Sequence, residues 1–153
     1  MSSTGHSPSA PKIILAFDYG TRRIGVASGD TLTRTAREVT TLQCTSTRVP
    51  PWSQIDRLVA EYRPAQFVVG VPYNMDDTPT ALTEACRAFA DELQARYTIS
   101  AALVDERLSS REASEQIREA RALGLKRKRS TREDIDQVAA RILLEQWLQA
   151  QTD

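Results

Sequence analysis

Three places in the chain carry acids whose positions suit chemistry. Asp18 follows the apolar run Ile13-Ile14-Leu15-Ala16-Phe17 and precedes Tyr19-Gly20; Asp105 and Glu106 follow Ala101-Ala102-Leu103-Val104; Asp134 and Asp136 open the last amphipathic stretch. A buried strand that runs into an acid holds its carboxylate rigidly at the rim of a core. Carboxylates gathered by a fold repel, since two unit charges ~4 Å apart interact by roughly 4 kcal/mol at an effective dielectric of 20. Oxygen donors without a neighbouring histidine or cysteine then call for a hard cation such as Mg²⁺ or Mn²⁺. Such an ion can activate water and stabilise the departing oxygen of a phosphodiester, with no side-chain nucleophile. His6, the single histidine, lies in the N-terminal stretch, which leaves little room for imidazole catalysis.

The surrounding elements decide whether these acids meet. Residues 13–17 predict a strand buried on both faces, and 24–28 a second after a short turn, where Gly25 and Ala27 leave room for a helix or a substrate. A third strand is expected over 36–42. Ser53 is expected to cap a helix reaching Tyr62, stopped by Arg63-Pro64. Residues 66–72 predict the next buried strand. Thr78-Pro79 then predicts the start of a helix to about Tyr97, with Leu82, Ala85, Cys86, Phe89 and Leu93 as its buried stripe. A fifth strand over 99–104 delivers Asp105 and Glu106, and Ser109 with Glu112 reads as a capping box opening another helix.

Strand alternation allows only one of Asp105 and Glu106 to join Asp18, and periodicity does not choose between them. Ser130 with Glu133 reads as a second capping box, opening a helix whose predicted buried side is Ile135, Ala139, Ile142, Leu143 and Trp147. At 100° per residue Asp136 lies near the edge of that stripe. Asp134 lies farther round and reads as an acid favoured by the helix dipole.

A length of 153 residues suits one domain over 12–150, after a Ser-, Thr-, Gly- and Pro-rich tail over 1–11 that is expected to be disordered. Twenty basic and twenty acidic residues cancel, so any nucleic-acid binding must come from local charge. Lys126, Arg127, Lys128 and Arg129 supply it: a solvated loop would carry such a run equally well, but its place just before the last acidic motif suits a phosphate clamp. No apolar run approaches the ~20 residues of a membrane helix and no signal peptide is legible, so a cytoplasmic protein without a membrane partner is expected. Cys44 and Cys86 lack metal-ligand spacing and read as packing residues in a reducing compartment.

The segment from Asp18 to Ser28 resembles the first hairpin of the ribonuclease H-like superfamily. Within it the chain resembles the YqgF family, also called RuvX, pre-16S rRNA nucleases related to Holliday junction resolvases. Three more motifs carry the likeness. Gly70-Val71-Pro72-Tyr73-Asn74-Met75-Asp76-Asp77 is similar to the family's Gly-Leu-Pro-x-Asn-Met-Asp-Gly segment, with Val71 for Leu and Asp77 for Gly. Asp105 to Ser109 match its Asp-Glu-Arg-Leu-Ser/Thr motif, and Asp136 to Ala140 its Asp-x-x-Ala-Ala signature. Asp at 77 tolerates a positive backbone angle better than a close backbone approach.

The resemblance implies an α/β, ribonuclease H-like fold: a central mixed five-stranded sheet, an antiparallel meander followed by parallel strands, flanked by helices. It implies Asp18, Glu106 and Asp136 as catalytic ligands of Mg²⁺ or Mn²⁺, with Asp105 in support. Nucleic acid would be bound by Arg23, Asn74 and Arg107 and by Lys126, Arg127, Lys128 and Arg129. The implied activity is a metal-dependent endonuclease maturing the 5′ end of pre-16S rRNA, acting as a monomer or homodimer. Cleavage of a Holliday junction or other branched DNA is the alternative, and a nucleic-acid-binding module without turnover is a further one, against which the three acids count. Asp18 to Thr21 also resemble the phosphate loop of sugar kinases and actin-like ATPases, but those need two such domains and this chain has room for one.

Overall fold

In a computed structural model the described residues are 12–20, 22–45, 49–71, 80–105, 119 and 130–151. The strands are β1 (Ile13–Tyr19), β2 (Arg23–Asp30), β3 (Thr35–Gln43), β4 (Gln66–Val71) and β5 (Ala101–Asp105). The helices are α1 (Trp52–Tyr62), α2 (Ala81–Tyr97) and α3 (Ser130–Ala150). The sheet has five strands in the order β3-β2-β1-β4-β5. β1 to β3 form an antiparallel meander, while β4 pairs parallel to both β1 and β5. This is the mixed sheet expected from the sequence.

Alternation along the strands builds two cores. Leu15, Phe17 and Tyr19 of β1, Ile24 and Val26 of β2, and Phe67, Val69 and Val71 of β4 face α1 and α2, where Ile55, Cys86, Phe89 and Leu93 meet them. Phe89 packs edge-on against Phe17, with ring centroids 5.4 Å apart. The opposite parity, Ile14, Ala16, Ala27 and Val68, faces Ala140, Leu143, Leu144 and Leu148 of α3. Both faces of β1 are therefore dry, which is why its sequence is a continuous apolar run. Gly29 belongs to the same device: a Cβ there would stand 2.8 Å from Leu144 Cδ2, so the glycine lets α3 settle on the sheet.

Several local expectations shift. β1 continues through Asp18 to Tyr19, so the acid lies within the strand rather than after it. β3 spans Thr35–Gln43, wider than 36–42, and a register shift between Val26 and Ala27 kinks its pairing with β2. α1 takes Pro51 rather than Ser53 as its N-cap, with no side-chain cap bond; a proline there forfeits no helical hydrogen bond. α2 is capped by Thr80 instead of Thr78. Thr80 Oγ1 accepts from the Thr83 N–H, while the Thr80 N–H donates to Thr83 Oγ1. The cap shift goes with a stripe of Thr83, Cys86, Phe89, Ala90 and Leu93; Leu82 and Ala85 are only partly buried.

Strand β5 starts at Ala101 and ends at Asp105, two residues later than expected at its start and one at its end. α3 hides Ala140, Leu144 and Leu148 more completely than the predicted Ile135 and Trp147, which are half-buried. Among the described residues no helix is long and apolar enough to cross a membrane. The tail over 1–11 and the capping box of Ser109 and Glu112 lie outside the described residues, as do the side chains of Ser130 and Glu133.

Candidate active site

Asp18 stands between Phe17 and Tyr19, both committed to the α1/α2 core, so alternation sends its side chain to the α3 face along with Ile14 and Ala16. Its cross-strand partner is Gly25, and Gly25 in turn pairs with Thr41 of β3. Directly opposed residues of an antiparallel pair share a face, ~4.5–5.5 Å apart. Asp18, Gly25 and Thr41 thus make a row across three strands, on the side covered by α3.

Gly25 fixes what lies over that row. A Cβ at this position would collide with the backbone carbonyl of Asp136 and come within 3.1 Å of its Cα. Only a glycine lets the first turns of α3 rest directly on β2 here. Asp136 also heads the most buried row of its helix: Ala140, Leu144 and Leu148 follow at four-residue spacing, with exposures of 0%, 0% and 1%. The sequence pattern puts Asp136 at the edge of the apolar stripe. In the structure it lies in line with its centre, because Ala140 and Leu144 bury more deeply than Ile135 and Trp147. Asp18 and Asp136, far apart in sequence, therefore flank one glycine on one face of the sheet.

Arg23 completes the described part of the site. It has the parity of Gly25 and Ala27, which turns it to α3, and its Nε donates to Asp136 Oδ2 at 2.6 Å. The two side chains are 35% and 22% exposed, so the pair is only partly screened by solvent. Sequence reasoning assigns Arg23 to nucleic acid and misses this ion pair, which joins residues 113 positions apart and is set by the docking of α3.

Asp105 is placed elsewhere. It pairs with Val71, a residue of the α1/α2 core, and shares the parity of Ala101, whereas Val104 packs toward α3. Asp105 therefore does not share the face of Asp18, which removes it as the third acid of this cluster. Glu106, Asn74, Arg107, Lys126, Arg127, Lys128 and Arg129 lie outside the described residues, as do Asp76, Asp77 and the side chain of Asp134. Among the described residues no group of three His, Cys, Asp or Glu side chains converges.

The donor chemistry of this cluster fits a hard divalent cation. Its acids are carboxylates on one face, packed without a Cβ between them, and Cys44 and Cys86 belong to the opposite core.

The family described as "RuvX: Holliday junction resolvase" matches residues 12–150. A Nitrosococcus oceani protein named "Putative pre-16S rRNA nuclease" is 42% identical over 146 residues, covering 95% of this chain and 91% of its own length. An Azotobacter vinelandii protein of the same name is 42% identical over 141 residues, covering 92% of this chain and 95% of its own. The solved structure of T. thermophilus RuvC in complex with Holliday junction substrate superposes with a TM-score of 0.54 at 11% identity, covering 91% of this chain and 94% of that one. That likeness is one of fold.

Proposed function

Because this chain belongs to the RuvX family of Holliday junction resolvase description over residues 12–150, we propose that it is a metal-dependent endonuclease that matures the 5′ end of pre-16S rRNA. The observation that carries this reading is the meeting of Asp18 and Asp136 across Gly25 on the α3 face. Relatives about 42% identical over nearly the whole chain supply the substrate. Asp18, Asp136 and Glu106 hold Mg²⁺ or Mn²⁺, and Glu106 is favoured over Asp105 because the latter has the wrong parity for this face. The bound ion supplies an activated water and neutralises charge on the departing oxygen.

The chain's own residues do the positioning. β1 fixes Asp18 through a strand buried on both sides, and α3 fixes Asp136 through its apolar row. Asn74, Arg107, and Lys126 to Arg129 bind the phosphate backbone, with Arg23 at the edge of the acidic cluster. One domain over 12–150, acting in the cytoplasm as a monomer or homodimer, suffices for this activity. Cleavage of branched DNA is the second reading, favoured by the family description and by the RuvC likeness in fold.

The test is Mg²⁺- or Mn²⁺-dependent cleavage of pre-16S 5′-end RNA and of a four-way DNA junction by wild type and Asp18→Asn. The expected outcome is RNA cleavage that falls at least ~100-fold in the variant, with the fold retained. Equal cleavage by both proteins would contradict the catalytic assignment. Binding without cleavage by either would make the protein a binding module. For the basic run, replacing Lys126, Arg127, Lys128 and Arg129 with Ala should flatten the salt dependence of RNA binding by up to about four phosphate contacts; an unchanged slope would remove the clamp.

A further inference from the structure

We infer that Arg23 is the resident counter-cation of the acidic site, holding Asp136 in the metal-free chain and competing with the divalent ion for that carboxylate. The inference rests on the metal-site reading above and adds to it what sets the affinity of the site. Arg23 is anchored at the first position of β2, two residues before the glycine on which Asp136 rests, and reaches across to donate Nε to Oδ2 at 2.6 Å.

Asp136 has little freedom to leave this bond by moving its backbone. Its carbonyl lies against Gly25, and the row Ala140, Leu144 and Leu148 below it is sealed in the core. The mobile partner is the long arginine side chain, 35% exposed and open to solvent along one side. Whatever cation takes Asp136 Oδ2 must displace that guanidinium or share the oxygen with it.

Arg141, on α3 itself, is held differently. Arg141 Nε donates to Glu38 Oε2 at 2.5 Å, and its Nη1 donates to Glu145 Oε1 at 3.0 Å. It is held by two acids, one on β3 and one a helical turn away, and ties α3 to the edge of the sheet. Arg23 instead approaches the carboxylate that flanks Asp18. Before any metal arrives, its positive charge offsets the repulsion between the acids and lets the fold assemble them. Once a divalent ion is present, the same charge opposes it. A unit charge this close to a divalent ion, partly screened by water, is worth roughly tenfold in the ion's affinity.

The test is Mn²⁺ binding to the full chain without nucleic acid, followed by calorimetry and by the rise in Tm on adding Mn²⁺. The proteins compared are wild type, Arg23→Gln, Arg23→Lys, Asp18→Asn and Asp136→Asn. Arg23→Gln should bind Mn²⁺ roughly tenfold more tightly, lower the Tm of the metal-free protein, and widen the gap between metal-free and loaded forms. Arg23→Lys keeps the charge and should stay near wild type. A purely structural role would lower Tm in both states and leave Mn²⁺ affinity unmoved, so an Arg23→Gln affinity equal to or weaker than wild type overturns the inference. If wild type, Asp18→Asn and Asp136→Asn bind Mn²⁺ alike, the metal-site reading itself fails, and the inference with it.

Discussion

Gly25 decides how near Asp136 can come to Asp18. The glycine is a cross-strand partner of one acid and the seat of the other's backbone, so a single methyl group there acts on both. Gly25→Ala should cost about 1–3 kcal/mol, because a backbone carbonyl cannot rotate away as a side chain tip could. It should also reduce cleavage by at least ~100-fold, since α3 can relieve the clash only by lifting Asp136. Denaturant unfolding and cleavage assays on the same preparation check this; a variant of full stability and activity would show that the contact between β2 and α3 does not govern the site. The carboxylates themselves were readable from sequence, Asp18 from the apolar run before it and Asp136 from its helical phase. The glycine's part was only half readable: room for a close approach was evident, but what approaches depended on a helix more than 100 residues away.

At the scale of elements, each helix is held by means suited to its face. α3 settles on the sheet through buried aliphatic residues, while the middle of α1 and the C-terminal end of α2 are also joined by a polar cluster. Asp56 of α1 accepts from Arg96 Nε at 3.0 Å and Nη2 at 2.9 Å, and from the Tyr97 hydroxyl at 2.6 Å. The Arg96 guanidinium also lies over the Trp52 ring, 5.1 Å from its centroid. The hydrogen bonds from Arg96 and then Tyr97 hold the Asp56 carboxyl down at about 2, against an ordinary carboxylate value of 3.8. Burial, then the bond to Asp56, pushes the Tyr97 hydroxyl upward.

A depressed folded-state value stabilises the protein above the unfolded value, near pH 4, and that contribution fades as pH falls toward 2. Asp56 and Arg96 are nearly half exposed, so the effect is modest. The Tm difference between wild type and Asp56→Asn should be largest above pH ~5 and close toward pH ~2. A difference independent of pH would show that the charge on Asp56 does not link the helices. None of this cluster was legible beforehand, because residues 56 and 96 meet only after two helices dock on one face. Helix starts were also misplaced: α1 begins after Pro51 with no side-chain cap, and α2 after Thr80, whose hydroxyl forms a capping box with Thr83 that the Thr78-Pro79 pair obscured in the sequence.

In the whole molecule, the two faces of the sheet carry different packings. One face is closed by α1 and α2 around an aromatic core, and the other brings Asp18, Arg23 and Asp136 together at the end of β1. The mixture of antiparallel and parallel pairing was implied by the family resemblance, whereas the order of the strands, with β1 between β2 and β4, emerged only from the structure. Strand alternation left Asp105 and Glu106 open and the resemblance implied Glu106; the register of β5 against β4 puts Asp105 on the other face from Asp18. The proposed divalent-cation site joins acids from a strand and from a distant helix, with Glu106 as its third ligand. Its most direct test is anomalous diffraction from crystals of the full chain grown in saturating Mn²⁺. The expected result is a Mn²⁺ peak bounded by the carboxylates of Asp18, Asp136 and Glu106. A peak held by other residues, or none between Asp18 and Asp136, would contradict it.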